Sequence, residues 1–181
     1  MKAPTLQGEM IALRPLQARD ADAMHELLSD PEGRRLVGTT HEYTRSEIPG
    51  VIARAAAADD RMILAVTANG SEEYLGQIAL EAIDRVVRCA RVTLQMRPAY
   101  RGRGYGTEAI ELMLGFAFDG LGLHRLGIQV LSINARATSL YENLGFRPEG
   151  RLRDAYRDGD GWCDGIVMGL LEDEYRAGQP A

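Results

Sequence analysis

The sequence predicts an α+β domain built on a single mixed, mostly antiparallel sheet with helices on both faces. Three observations carry that expectation. An early strand pattern is followed by two helical stretches. Three strand patterns then follow one another across short turns, and from Cys89 onward the chain alternates strand, helix, strand, helix, strand. Strands joined by tight turns pair antiparallel, while a helical crossover returns the chain parallel, so this order needs both pairings in one sheet. With 181 residues, 45% of them hydrophobic, the chain can bury a sizeable core and is expected to form one domain over residues 1–181.

In order along the chain, Glu9 to Leu16 alternates with Ile11 and Leu13 on one face, a short strand that Pro15 can end. Asp20 is an N-cap candidate for a helix whose Ala21, Met24 and Leu28 form one stripe, and Asp30-Pro31-Glu32-Gly33 is expected to stop it. A polar stretch to Tyr43 precedes a second helix through Ala58. Thr44-x-x-Glu47 spells a capping box, but Pro49 would then sit too deep in the helix, so Ser46 is the preferred cap. Met62 to Thr67 and Tyr74 to Ile83 read as strands joined by the turn from Asn69 to Glu73, and a turn around Asp84 leads to a third, Cys89 to Met96. The helix ending near Phe118 is apolar around nearly its whole circumference and is therefore expected to be buried. Leu126, Ile128 and Val130 alternate as a strand, Ala135 to Leu144 is a short helix stopped by Gly145, Phe146 begins another strand, and Trp162 to Leu171 is the last. Residues after about Glu174 are expected to form a loosely ordered tail.

Composition narrows the function. A net charge of −5 argues against non-specific nucleic-acid binding. No apolar run approaches the ~18 residues of a membrane span, and Met1-Lys2-Ala3-Pro4 leads straight into polar residues with no signal-peptide pattern. Cys89 and Cys163 are too few for a disulfide framework, and His25, His41 and His124 are scattered without metal-ligand spacing. The expectation is a reduced, cytoplasmic protein with no metal, nucleic acid or membrane partner.

The most informative stretch is Arg101-Gly102-Arg103-Gly104-Tyr105-Gly106, between the Cys89–Met96 strand and a helix that opens with Thr107-Glu108-Ala109. Glycines at alternate positions let backbone N–H groups turn inward without Cβ clashes, and the helix start adds unpaired N–H groups and a positive dipole end. Such a turn suits a phosphate-bearing cofactor. Its G-x-G-x-G spacing is not the dinucleotide fingerprint, and no lysine follows Gly104 or Gly106 as a P-loop requires. A glycine-rich turn without a ligand is the alternative. A second constellation runs from Asn134 to Phe146, where Asn134 can cap a helix, Gly145 can end it, and Leu140 and Leu144 share a face. Taken alone, that helix needs Tyr141 only as a packing aromatic.

The two stretches, Arg101-x-x-Gly104-x-Gly106 and Asn134-x-x-Ala137 followed by Tyr141-Glu142-x-x-Gly145-Phe146, together resemble the paired signatures of the GNAT acetyltransferase superfamily. Ile11 to Pro15, Gly76, His124-Arg125-Leu126, Arg147 to Arg153 and Asp164 to Met168 extend the likeness over nearly the full chain. The pattern looks like the branch that holds ribosomal-protein N-terminal acetyltransferases and spermidine acetyltransferases. The resemblance implies a sheet that splays between the strand before the glycine turn and the next strand. It implies acetyl-CoA as co-substrate and transfer of acetyl to a primary amine, a protein N-terminal α-amine or a small amine or polyamine, by direct attack in a ternary complex. A homodimer is common in that branch, although nothing in the sequence alone shows one.

Residue by residue, the resemblance assigns the coenzyme pyrophosphate to the backbone of Arg101, Gly102, Arg103, Gly104, Tyr105, Gly106 and Thr107. The two arginines either add charge there or are simply solvated. The pantetheine arm falls to Leu94, Gln95 and Met96, paired as an added strand would be. Asn134 contacts that arm, caps its helix, or does both. Tyr141 becomes the proton donor to the departing thiolate, a role open to a phenol near ~10 beside a thiol near ~8.5. The attacking amine must lose a proton, and where many relatives carry a glutamate this chain has Arg91, which cannot accept one. A water chain remains, or a carboxylate from Glu81, Asp84 or Glu42. The rival from another class is a non-catalytic acyl-CoA-binding or sensing module that keeps the glycine turn and lacks a base.

Overall fold

Alternation of side chains across the strands builds the fold. The computed structural model describes residues 3–178, so Met1, Lys2 and the last part of the expected tail, residues 179–181, lie outside the described residues. Its strands are β1 (Leu6–Gln7), β2 (Ile11–Pro15), β3 (Met62–Ala68), β4 (Tyr74–Asp84), β5 (Cys89–Met96), β6 (Arg125–Leu131), β7 (Arg147–Asp158) and β8 (Gly161–Leu171). They form one sheet in the order β1-β2-β3-β4-β5-β6-β8-β7. In β3, Leu64 and Val66 face the larger core cluster while Ala65 faces a smaller one on the other side.

Helices cover both faces. α1 (Ala21–Ser29) and α3 (Ile48–Ala57) supply Met24, Leu27 and Ile48 to the smaller cluster. α4 (Tyr105–Gly115) supplies Ala109, Ile110, Met113 and Leu114 to the larger one, and α5 (Ala135–Asn143) adds Tyr141. The expected all-round burial of α4 is not found: Ala109, Ile110, Met113 and Leu114 are buried, Glu111 is exposed and the rest are half-buried. A π turn, Phe116–Gly120, ends that helix.

Among the described residues the only parallel pairing is between β5 and β6, and it is short. Cys89, Ala90 and Arg91 pair with Arg125, Leu126 and Gly127, and there the pairing stops. Beyond Arg91, β5 continues to pair with β4 as far as Met96, and β6 continues with β8 as far as Leu131. The sheet is therefore split open from Arg91 upward, at the place the family likeness implied.

Several local expectations need correction. Asp30-Pro31 does end α1, but it also starts a further helix, α2 (Pro31–Val37), where a polar loop was expected. The Asp30 carboxylate accepts from Gly33 N at 2.9 Å, Pro31 occupies the first turn, and Gly38 closes the helix at φ +70°. Thr44, not Ser46, makes the cap before α3. It forms the capping box with Glu47 around a short 3₁₀ turn, Arg45–Glu47, so Pro49 still falls in the first α turn. Asp20 precedes α1 as expected, but its carboxylate does not cap that helix. It grips Arg14 through two bonds of 2.8 and 2.7 Å and accepts from Gln17 N. The chain stays helical past Glu174 as α6 (Glu172–Ala177), because Tyr175 stacks on Phe118 with ring centroids 4.8 Å apart.

At the far edge of the sheet, β7 is exposed along most of its length. Its pairing with β8 slips between Leu152 and Tyr156, where Asp154 takes φ +50° and donates its N–H to Asp164.

The Arg14–Asp20 pair ties β2 to the start of α1, and the Asp20 side chain is 1% exposed. Asp20→Ala leaves the buried guanidinium with only the exposed Glu72 carboxylate, 3.5 Å from its Nε, and is expected to cost about 3 kcal/mol in urea denaturation, whereas the double change Arg14→Met with Asp20→Leu costs far less. Equal losses in the two variants would show that the pair is not the source.

Candidate active site

The glycine turn and the split meet at one cavity of about 250 Å³. Gly102 and Gly104 have φ +80° and +84°, a conformation that L side chains rarely adopt. A Cβ at Gly106 would lie 3.1 Å from Leu94 Cδ2, so α4 approaches β5 more closely than a larger residue allows. Gly104 is the N-cap of α4 and offers no side-chain acceptor, so the first-turn N–H groups of Tyr105, Gly106 and Thr107 have no partner from a cap. The Glu108 carboxylate, next in line, is turned away to accept from the backbone N–H groups of Glu9 and Met10. What remains at the turn is a set of backbone donors at the positive end of an eleven-residue helix.

Most of the residues singled out from the sequence line this cavity. Leu94, Gln95 and Met96 come from the upper part of β5, which pairs with β4 but no longer with β6, and Arg101, Gly102, Gly104, Gly106 and Thr107 from the turn. Asn134 lines it too, while its Oδ1 accepts from Ala137 N at 3.1 Å as the cap of α5. Across the split, Leu27, Leu36 and Val37 of α1 and α2 close the far wall. Because Leu94 and Met96 face α4 and Gln95 faces α1 and α2, the cavity passes through the sheet and does not rest on one side of it.

Three singled-out residues do not line it. Arg103 places its guanidinium 5.7 Å from the Tyr100 ring centroid. Tyr105 packs against the larger core cluster. Tyr141 is buried within the same cluster, edge-on to Phe146 at 5.5 Å, although Ala137 and Leu140 of its helix do reach the cavity. Burial pushes the Tyr141 phenol well above its ordinary range, so it is fully protonated at neutral pH. Arg101 is committed within the protein: Nε donates to Met96 O at 2.9 Å and Nη2 pairs with Asp30 Oδ2 at 2.5 Å. One lining cation was missed in the sequence. Arg136 sits in the first turn of α5, with Nη2 3.1 Å from where a Gly102 Cβ would be, and it pairs with no carboxylate among the described residues. Its signal was its place two residues after Asn134, which the motif treats as variable.

The carboxylates considered as bases are all engaged. Glu81 pairs with Arg61 at 3.4 Å, Glu42 with Arg34 at 2.7 Å, and Asp84 accepts from Val86 N and Val87 N at 2.8 Å each.

A sequence profile of the acetyltransferase (GNAT) domain matches residues 11–147, which is most of the chain. This chain belongs to the GNAT acetyltransferase family. Among curated relatives of the enzyme, the spermidine N(1)-acetyltransferase of Escherichia coli K12 is 26% identical over 167 residues, covering 92% of this chain and 89% of that protein. A putative ribosomal N-acetyltransferase of Bacillus subtilis is 26% identical over 175 residues, covering 93% of this chain and 94% of its own length. A solved spermidine N-acetyltransferase from Vibrio cholerae, in complex with CoA and spermine, shares the fold with a TM-score of 0.87. At 22% identity, that match covers 93% of this chain and 99% of the solved one. This GNAT acetyltransferase is thus an acetyl-CoA-dependent enzyme that transfers acetyl to an amine.

The cradle fits a diphosphate: two left-handed glycines, unpaired N–H groups and a free arginine surround one opening. Gly104→Ala forces a Cβ into the left-handed region, at about 1–2 kcal/mol. The expected outcome is acetyl-CoA affinity at least ~10-fold weaker by titration calorimetry with unchanged far-UV dichroism. Unaltered affinity would remove the turn from the binding site.

Proposed function

We propose that this enzyme acetylates a primary amine by direct attack within the split between β5 and β6, with residues 1–181 acting as one domain. The observation that carries this reading is the cavity itself, which joins the donor-rich turn to the edge of β5 that β6 leaves open and passes through the sheet. When bound, acetyl-CoA supplies an activated acyl group whose thioester bond is exchanged for an amide.

The roles follow from what each group can do. Backbone N–H groups from Gly102 to Thr107 hold the diphosphate, that of Arg101 being bonded to Pro98 O, and Arg136 adds the charge that Arg101 cannot spare. The free edge of β5 at Leu94, Gln95 and Met96 offers main-chain donors and acceptors to a peptide-like arm, and an N–H there polarises the acyl carbonyl. Asn134 contacts the same arm while capping α5. In the overall exchange a C–N bond forms and the C–S bond breaks. The amine nitrogen releases its protons, and the sulfur leaves as a thiolate that takes one up. We assign that proton to Tyr141: Ala137 and Leu140 of its helix line the cavity while its own ring packs in the core behind them, and burial keeps the phenol protonated. With Glu81, Glu42 and Asp84 each engaged, the amine's proton leaves through water. The free thiols Cys89 and Cys163 support a reducing, cytoplasmic setting.

Thiol release from acetyl-CoA, measured against an amine panel, tests the proposal. Tyr141→Phe is expected to lower kcat ~10-fold or more and leave the acetyl-CoA Kd unchanged. An unchanged kcat would remove Tyr141 from proton transfer, and no release with any amine would overturn the enzyme reading. If water takes the amine's proton, kcat/KM of the parent enzyme should rise with pH up to the acceptor's own pKa, ~8 for an α-amine and ~10 for an alkyl amine. A midpoint near 6 to 7 that ignores the acceptor would reveal a protein base instead.

A further inference from the structure

A second depression, of about 490 Å³, lies on the α3 face of the sheet at the foot of the split. It is floored by Glu81 and Arg91 from β4 and β5, walled by Arg54 of α3 with Asp60 and Arg61, and closed by Tyr43 from the segment before α3. Arg91 marks the vertex: it is the last β5 residue to pair with β6, its partner there is Gly127, and a Cβ on that glycine would meet Arg91 Cγ at 3.9 Å. On the same strand face, Arg91, Thr93 and Gln95 follow one another at alternate positions, and Gln95 lines the first cavity. Arg91 and Thr93 are both exposed. One row of side chains thus links the two spaces, about 13 Å from end to end at the strand repeat.

The direction of β5 gives this link its meaning. The glycine turn follows its C-terminal end, and the vertex lies near its N-terminal end. An arm held at the turn and laid along Met96 to Leu94 points its far end toward Arg91. Whatever amine reaches the thioester from the α3 side does so past this arginine.

The charges there do not suit a polycation. Three guanidinium groups face two carboxylates. Glu81 stands opposite Arg91 in the strand register, but its contact within ion-pair distance is Arg61, at 3.4 Å. Arg54 and Arg91 have no ion-pair partner among the described residues. A guanidinium in this position presents a planar fork that matches a carboxylate, and the depression has the size of a small-molecule site. We infer that the depression is the acceptor site and that Arg91 selects a small amine bearing a carboxylate, an amino acid or a close analogue, over cationic polyamines. The inference rests on the proposed reading of the split as the site of acetyl transfer.

The test uses straight-chain amino acids from glycine to 6-aminohexanoate, each beside its primary amide, with spermidine as the cationic arm and the intact chain as enzyme. For the chain length that fits, the acid is expected to exceed its amide in kcat/KM by ~10-fold or more. Arg91→Gln should abolish that ratio, and Arg91→Glu should turn preference toward spermidine. Amides or spermidine matching the acids in the parent enzyme, or a ratio that survives Arg91→Gln, would overturn the selection of carboxylates and leave the transfer reading intact. If acetyl-CoA binds but no acceptor reacts, the transfer reading fails by itself. The depression is then decided by titrating the acids into CoA-saturated protein. Heat that Arg91→Gln removes supports the inference, and no heat sinks it.

Discussion

Two neighbouring strands that pair for three residues and then part are the constraint on which the rest of this structure depends. A parallel pair normally continues along its whole length, because each unpaired main-chain group turned from water needs another partner. Here the two halves of the sheet are each held firmly from the outside, β5 by β4 and β6 by β8, so neither strand can swing inward to close the gap. The opening is maintained by pairing elsewhere and needs no flexible element. A peptide-like arm entering it restores the missing ladder, which is how a binding site can be built from a defect in a sheet.

The upper end of that opening is fixed by a chain of contacts spanning distant parts of the sequence. Asp30 caps α2 and at the same time holds Arg101, whose Nε is bonded to the last carbonyl of β5. One carboxylate thus couples the helix on one side of the split to the donor-rich turn on the other. Arg101 is occupied by this clamp, so the cationic help at the turn falls to Arg136, which reaches the glycines from α5.

How much of this could be read from the residues depended on the range of the interaction. Period-two alternation exposed most of the strands, because Leu64 and Val66 must leave Ala65 on the other face whatever the neighbours are. The glycine turn was legible for a similar reason, since glycine takes the left-handed conformation found at 102 and 104 without the strain a side chain brings. Asp30-Pro31 misled because the same pair that ends one helix is also a strong start for another. Thr44 conflicts with Pro49 only if the α-helix runs directly from its cap, and the 3₁₀ turn Arg45–Glu47 removes that conflict. The role of Arg101 was invisible locally, since its partner lies 71 residues away. The order of the C-terminal helix was hidden likewise, as it depends on Tyr175 finding Phe118.

The outermost strand has a consequence of a different kind. A long, open β edge is a template on which a foreign chain can crystallise into a ribbon, and β7 is long and open. Asp154 interrupts the template by turning its N–H back toward Asp164, and the strand is studded with charge of both signs, Arg147, Arg151, Arg153 and Arg157 among Glu149, Asp154 and Asp158. A would-be partner strand meets a broken row of donors behind a fence of charged side chains, which disfavours pairing edge to edge.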